Sequence, residues 1–109
     1  MILDDLSNED PNFKAALKPY LSRPPFEVSP QSDFVSLIRE VMIDHLKSPV
    51  LSGGASFWTD AALLAEAGIN SVLLGPTGQG LHSKEEWVDI KSCIDLAKIL
   101  ISLTTSYCR

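Results

Sequence analysis

Apolar positions along the chain fall into three different rhythms, and each predicts a different local structure. From Phe34 they recur at three- and four-residue spacing through Ile38, Val41, Met42 and His45. That is the period of a helix with one buried face, and Ser32 stands where a cap is wanted. Pro49 limits this helix, because a residue before proline is pushed out of helical geometry. A shorter helix is predicted after Thr59 or Asp60, with Ala61, Leu64 and Ala65 as its stripe and Gly68 as its terminator. Ile69 to Leu74 is a continuous apolar run bounded by glycines, the pattern of a buried strand. Gly75-Pro76-Thr77-Gly78-Gln79-Gly80 reads as a loop. A last helix is predicted from about Asp89 towards Tyr107, with Ile90, Cys93, Ile94, Ala97, Ile101 and Thr104 on its buried face.

The first thirty residues have no such period. Five of the seven prolines (Pro11, Pro19, Pro24, Pro25, Pro30) lie there, whereas all six glycines fall between Gly53 and Gly80. Proline removes a backbone donor, so Ala15 to Val28 can hold an edge strand but not a central one. Residues 1–12 are expected to be a lead-in that is frayed unless a partner covers it. The alternation of strand and helix further on predicts an α/β layer.

Composition narrows the function classes. The 109 residues carry 14 acidic and 9 basic side chains, a formal net charge of −5. An acidic chain lacks the cationic footprint that nucleic acid or an anionic membrane requires. No apolar run approaches the ~20 residues that span a bilayer, and the start has no signal-peptide pattern. A cytoplasmic location is the expectation. Two cysteines, Cys93 and Cys108, make neither a disulfide framework nor a four-ligand zinc site.

The glycine loop is the main candidate for chemistry. Gly75 and Gly80 have the spacing of a phosphate-binding loop, but Leu81 and His82 stand where lysine and serine or threonine are required. The dinucleotide fingerprint fails as well, since the glycines run in the wrong order. His82 ends the loop at the carboxyl side of a predicted strand, where functional groups concentrate in α/β folds. After it, Ser83 to Glu86 has the spacing of a capping box and predicts a helix start. His45 belongs to the apolar side of its helix and is expected to be a packed core-edge residue. Ser56, in Gly54-Ala55-Ser56-Phe57-Trp58, lacks the second glycine of a nucleophile elbow. Cys93 faces the predicted core, where a thiol is inert. Plain packing is expected of Trp58 and Trp87. One histidine cannot hold a catalytic metal, which takes about three protein ligands.

Several short motifs then occur in a recognisable order. They are Thr59-Asp60-Ala61-Ala62, Ala67-Gly68-Ile69, Leu74-Gly75-Pro76, the glycine-rich stretch, His82, and Glu86-Trp87-Val88. Upstream lie Pro24-Pro25-Phe26-Glu27-Val28 and Asp33-Phe34-Val35. This resembles the C-terminal part of the zinc-dependent amidohydrolases and peptidases, the family of acetylornithine deacetylase, succinyl-diaminopimelate desuccinylase, aminoacylase and the glutamate carboxypeptidases. The resemblance implies a mixed-sheet α/β/α catalytic domain in residues 31–109. Residues 1–30 would then hold an N-terminal extension and the last strand of a lid domain. It implies that His82 is a terminal ligand in a site of two zinc ions, with cobalt or manganese as possible substitutes. It also implies that Thr59, Asp60, Gly78 and Gly80 line the substrate side, and that substrates are N-acyl amino acids or peptides. The family's other ligands and its catalytic carboxylate pair have no counterpart here, so no residue of this chain is assigned a catalytic role. The chain is expected to be a C-terminal fragment, inactive alone, that self-associates as a homodimer or swaps its N-terminal segment between copies. The alternative is a non-catalytic α/β binding or interaction module.

Overall fold

The computed structural model describes residues 1–108. Its largest element pair is two helices, α2 (Asp33–Leu46) and α4 (Ile90–Tyr107). Ser32 caps α2 as expected, its hydroxyl accepting from the Val35 amide at 3.3 Å. The helix stops at Lys47, which turns left-handed at φ 52, two residues ahead of Pro49. Asp89 caps α4, its carboxylate accepting from the Ser92 amide at 2.7 Å. The two helices run in opposite senses. The Phe34 and Tyr107 rings meet at 5.0 Å, and His45 Nε2 lies 2.9 Å from Ser102 Oγ. Ile38 and Ile99 are buried between the ends.

α4 does not bury the face that its strongest periodicity predicts. Ile99 is buried, with Ser92, Cys93, Asp95, Leu96, Ser102 and Leu103 half-buried around it. Ile90, Ile94 and Ile101 are 75%, 52% and 68% exposed. The helix is apolar on two sides, and spacing alone cannot say which side meets α2. His45 also departs from expectation. It is exposed, and it touches α4 through one polar contact rather than by packing.

A short α3 (Ala61–Glu66) follows Thr59, whose hydroxyl accepts from the Ala61 amide at 3.1 Å. Gly68, at φ +77, ends it. The Gly68 and Ile69 amides fold back onto the Ala65 and Leu64 carbonyls, each at 2.9 Å, which satisfies two groups the helix end leaves open. Ala61 and Ala62 are buried. Ile69 to Leu74 forms neither helix nor strand and makes no ladder hydrogen bonds. A strand needs a neighbour, and no other segment among the described residues lies beside it in register.

The ladder that does form lies in the predicted loop. β1 (Gly78–Gln79) pairs antiparallel with β2 (Trp87–Val88), Gly78 opposite Val88 and Gln79 opposite Trp87. The predicted helix start at Ser83 is replaced by the bend of this hairpin, where the Ser83 hydroxyl donates to the Glu85 carbonyl at 2.7 Å. Residues 13–28 form no strand among the described residues. The expected lead-in is ordered instead as α1 (Ile2–Glu9), a helix that buries no side chain.

Few side chains are enclosed. The radius of gyration is 20.1 Å, against about 13 Å for a compact chain of this length. The accessible surface is 9107 Å², where a folded monomer of this mass has roughly 5,900 Å². No helix is long and apolar enough to cross a membrane.

Candidate functional site

The glycine loop becomes a hairpin because two glycines permit a close approach. A Cβ on Gly78 would stand 2.5 Å from the Trp87 carbonyl oxygen. Gly80 sits at φ +79, and a Cβ there would overlap the Glu85 carbonyl oxygen. The Ser83 amide donates to the Gly80 carbonyl at 2.7 Å, closing a four-residue turn. His82 is the third residue of that turn, at φ 63. Positive φ at this position is the hallmark of the type II class, where glycine or asparagine is preferred. A residue with a Cβ costs about 1–2 kcal/mol in this conformation. His82 is therefore held, exposed, at a place where local sterics favour a different residue.

The base of the hairpin is fixed to α4. The Asp89 amide donates to the Thr77 carbonyl at 2.8 Å, and the Thr77 amide donates to Ser92 Oγ at 2.9 Å. The Ser92 hydroxyl donates to the Asp89 carbonyl at 2.7 Å. One helix cap thus positions the loop that carries Gly78, Gly80 and His82. Asp89 and Ser92 were not singled out as site residues by sequence reasoning. Their three-residue spacing signals a cap, but nothing in it signals the bond to Thr77.

Thr59 and Asp60 lie elsewhere. An open groove of about 1000 Å³ runs along α2 between Phe26, Trp58, Thr59 and the Val72–Leu74 segment. Arg39 is among its lining residues and donates to Ser52 Oγ at 3.1 Å. Asp60 lines a second hollow of about 550 Å³ with Leu21, Arg23, Trp58 and Leu63. Trp58 ties the proline-rich segment to this region, its indole N–H donating to the Pro24 carbonyl at 3.1 Å. Neither hollow is lined by Gly78, Gly80 or His82. The structure brings together the three hairpin residues, and separately Thr59 and Asp60.

The resolved shifts in acidity are on the helix surfaces. A hydrogen bond and the charge of Lys47 hold the Asp44 carboxyl below its ordinary range. Lys91 does the same to Asp95, chiefly through their 2.6 Å hydrogen bond, and the Lys91 ammonium is raised in return. These are helix-surface ion pairs and carry no chemistry. Among the described residues no group of three or more histidine, cysteine, aspartate and glutamate side chains stands close enough to hold a metal ion. The donors present among the described residues do not by themselves fit a metal centre.

Comparison with known proteins gives a consistent answer. The model of peptidase family M20/M25/M40 matches residues 8–106. The N-formyl-4-amino-5-aminomethyl-2-methylpyrimidine deformylase of Halalkalibacterium halodurans is 30% identical over 87 residues, which is 79% of this chain and 20% of that protein. The chain thus spans about a fifth of the length of this curated relative. No solved structure matches it. A family match over nearly every residue from the proline-rich segment to the end of α4 leads to one conclusion: the chain belongs to peptidase family M20/M25/M40.

Proposed function

We propose that this chain supplies the C-terminal part of an amide-hydrolysing catalytic domain and that His82 is its metal-ligating side chain. The observation that carries the reading is the setting of His82. It is an exposed imidazole at positive φ, on a hairpin locked to a helix cap, inside the matched family segment. Strain of this kind persists where the surroundings over-determine it, and it clusters at functional sites. A bound metal ion supplies polarisation of an amide carbonyl and activation of water. This chain's contribution is one oriented donor, on a hairpin whose close backbone approach Gly78 and Gly80 permit. The remaining donors and the base come from outside these residues.

In this reading Thr59 and Asp60 face the substrate, residues 31–109 belong to a mixed-sheet α/β/α domain, and residues 1–30 close a lid domain. The Ile69–Leu74 segment supports it, being a continuous apolar run that pairs with nothing among the described residues. The substrate class is a small N-acyl amine, amino acid or peptide. The relative's name supports that class, since it describes removal of a formyl group from nitrogen. One observation favours a second reading, a non-catalytic interaction module: the chain's accessible surface far exceeds that of a folded monomer.

The two readings separate on the chain's only two histidines, His45 and His82. Zinc titration followed by imidazole NMR is expected to move the His82 ring signals first, with weak, reversible affinity, and to lose that response in His82→Ala. A parallel assay adds the chain to an M20-type deformylase truncated before its own C-terminal fifth. Recovered formamide hydrolysis that disappears with His82→Ala supports the first reading. Zinc that shifts His45 alone, or recovered hydrolysis indifferent to His82, overturns the ligand role and leaves the interaction module.

A further inference from the structure

The hairpin that carries His82 cannot order itself. Its strands are two residues each, all four strand residues are exposed, and a two-stranded ribbon is marginal in water at best. The turn adds strain, since His82 stands at φ 63, where a Cβ is disfavoured. The order of the hairpin must come from its base, where Thr77 meets the start of α4.

The alternation of the ladder shows what that base is made of. Gln79 and Trp87 are a hydrogen-bonded pair and Gly78 and Val88 the non-bonded pair beside it, so Thr77 and Asp89 fall on the next hydrogen-bonded rung. Two residues on such a rung exchange both bonds. Asp89 supplies one, its amide donating to the Thr77 carbonyl at 2.8 Å. The return bond does not go to Asp89, because its carbonyl has turned into α4. There it accepts from the Cys93 amide at 3.2 Å and from the Ser92 hydroxyl at 2.7 Å. The Thr77 amide donates to Ser92 Oγ instead, at 2.9 Å. The single hydroxyl proton goes to the nearer of two carbonyls, that of Asp89 rather than that of Thr77 at 3.4 Å, and a lone pair is left for the Thr77 amide. The Ser92 amide is itself held by the Asp89 carboxylate at 2.7 Å, so this half-buried side chain stands on a fixed backbone.

We propose that Ser92 is the positioning residue of His82: its hydroxyl stands in for the ladder acceptor that the helix has taken, and so fixes the hairpin and the His82 backbone to α4. This role is separate from that of the cap. Ser92→Ala removes the hydroxyl but keeps the amide that the Asp89 carboxylate holds, so the cap survives while the rung is halved. Asp89→Ala does the reverse, removing the cap and reaching the rung only through Ser92. The purpose of this positioning rests on the reading of His82 as a ligand. The hold of Ser92 on the hairpin does not.

NMR of the metal-free chain tests that hold directly. Ser92→Ala is expected to raise amide exchange at Thr77, Gln79 and Trp87 about two- to tenfold, the range expected of one hydrogen bond, with helicity by circular dichroism unchanged. The strong amide-to-Hα cross-peak within His82 that marks its positive φ is expected to weaken in the same variant. Ser92→Thr, which keeps a hydroxyl, is expected to restore both. Added to the truncated M20-type deformylase, Ser92→Ala is expected to lower the His82-dependent kcat at unchanged KM, and Ser92→Thr to recover it. Exchange and cross-peak indifferent to Ser92→Ala overturn the proposal. So does a loss that Ser92→Thr fails to repair, or a loosened hairpin with an undiminished His82-dependent rate. Recovered hydrolysis indifferent to His82→Ala overturns the ligand role instead, and the metal-free measurements then decide the role of Ser92 by themselves.

Discussion

At the scale of single residues, the hairpin sets two positive-φ positions against each other. Gly80 needs to be glycine twice over, for its φ of +79 and for the Glu85 carbonyl that occupies the place of a Cβ. Gly80→Ala is expected to open the turn and lose amide exchange protection at Gln79 and Trp87, the hydrogen-bonded pair of the ladder. His82 has the same kind of backbone but a side chain that nothing local requires. His82→Gly relieves its φ while adding unfolded-state freedom, and these oppose each other. The hairpin is expected to keep its stability within about 1 kcal/mol in that variant, read from the same exchange rates. A large loss on His82→Gly would show that the imidazole holds the loop rather than being held by it. The glycines and His82 were legible as a loop with one chemical group. That the loop folds into a two-residue ladder was not, because pairing depends on Trp87 and Val88 returning to the right place.

At the scale of elements, both long helices were legible from capping and period. Ser32 and Asp89 sit before amphipathic runs, and the structure uses both as caps. Their loss should not be equivalent. Ser32→Ala and Asp89→Ala are each expected to cost about 1 kcal/mol of helix stability, measurable by thermal melting. Only Asp89→Ala is also expected to raise exchange at Thr77 and Gln79, since the lost carboxylate holds the Ser92 amide and the Ser92 hydroxyl accepts from the Thr77 amide at the base of the hairpin. Equal effects of both variants on the hairpin would show that it is not positioned by the α4 cap. The element that failed was the strand at Ile69–Leu74, where the apolar run is clear but the chain offers no partner. The face of α4 failed for a related reason, since both of its sides are apolar and the choice belongs to α2.

At the scale of the whole molecule, the surface is the dominant fact. Four apolar residues, Ile38, Ala61, Ala62 and Ile99, make up the buried hydrophobic set among the described residues. A core that small leaves packing loose, so the chain is expected to melt over a broad range and to bind a hydrophobic dye before melting. Small-angle scattering of the dilute chain is expected to give a radius of gyration near 20.1 Å. A value near 13 Å would mean that the extended segments collapse onto the helices.

What the sequence by itself determined is local and chemical. Helix positions, their caps, the Gly68 terminator, the glycine-rich turn and the family motifs all depend on residues a few places apart, where backbone sterics and hydrogen-bond spacing act. What only the tertiary structure decided depends on groups distant along the chain. It turned Ile99 rather than Ile94 towards α2, tied Thr77 to Ser92, and separated Thr59 and Asp60 from the hairpin. It also left the strand at Ile69–Leu74 without a ladder. The reason is the same in each case. A side chain or backbone group can be satisfied in several ways locally, and only the partner brought up by the rest of the fold selects one.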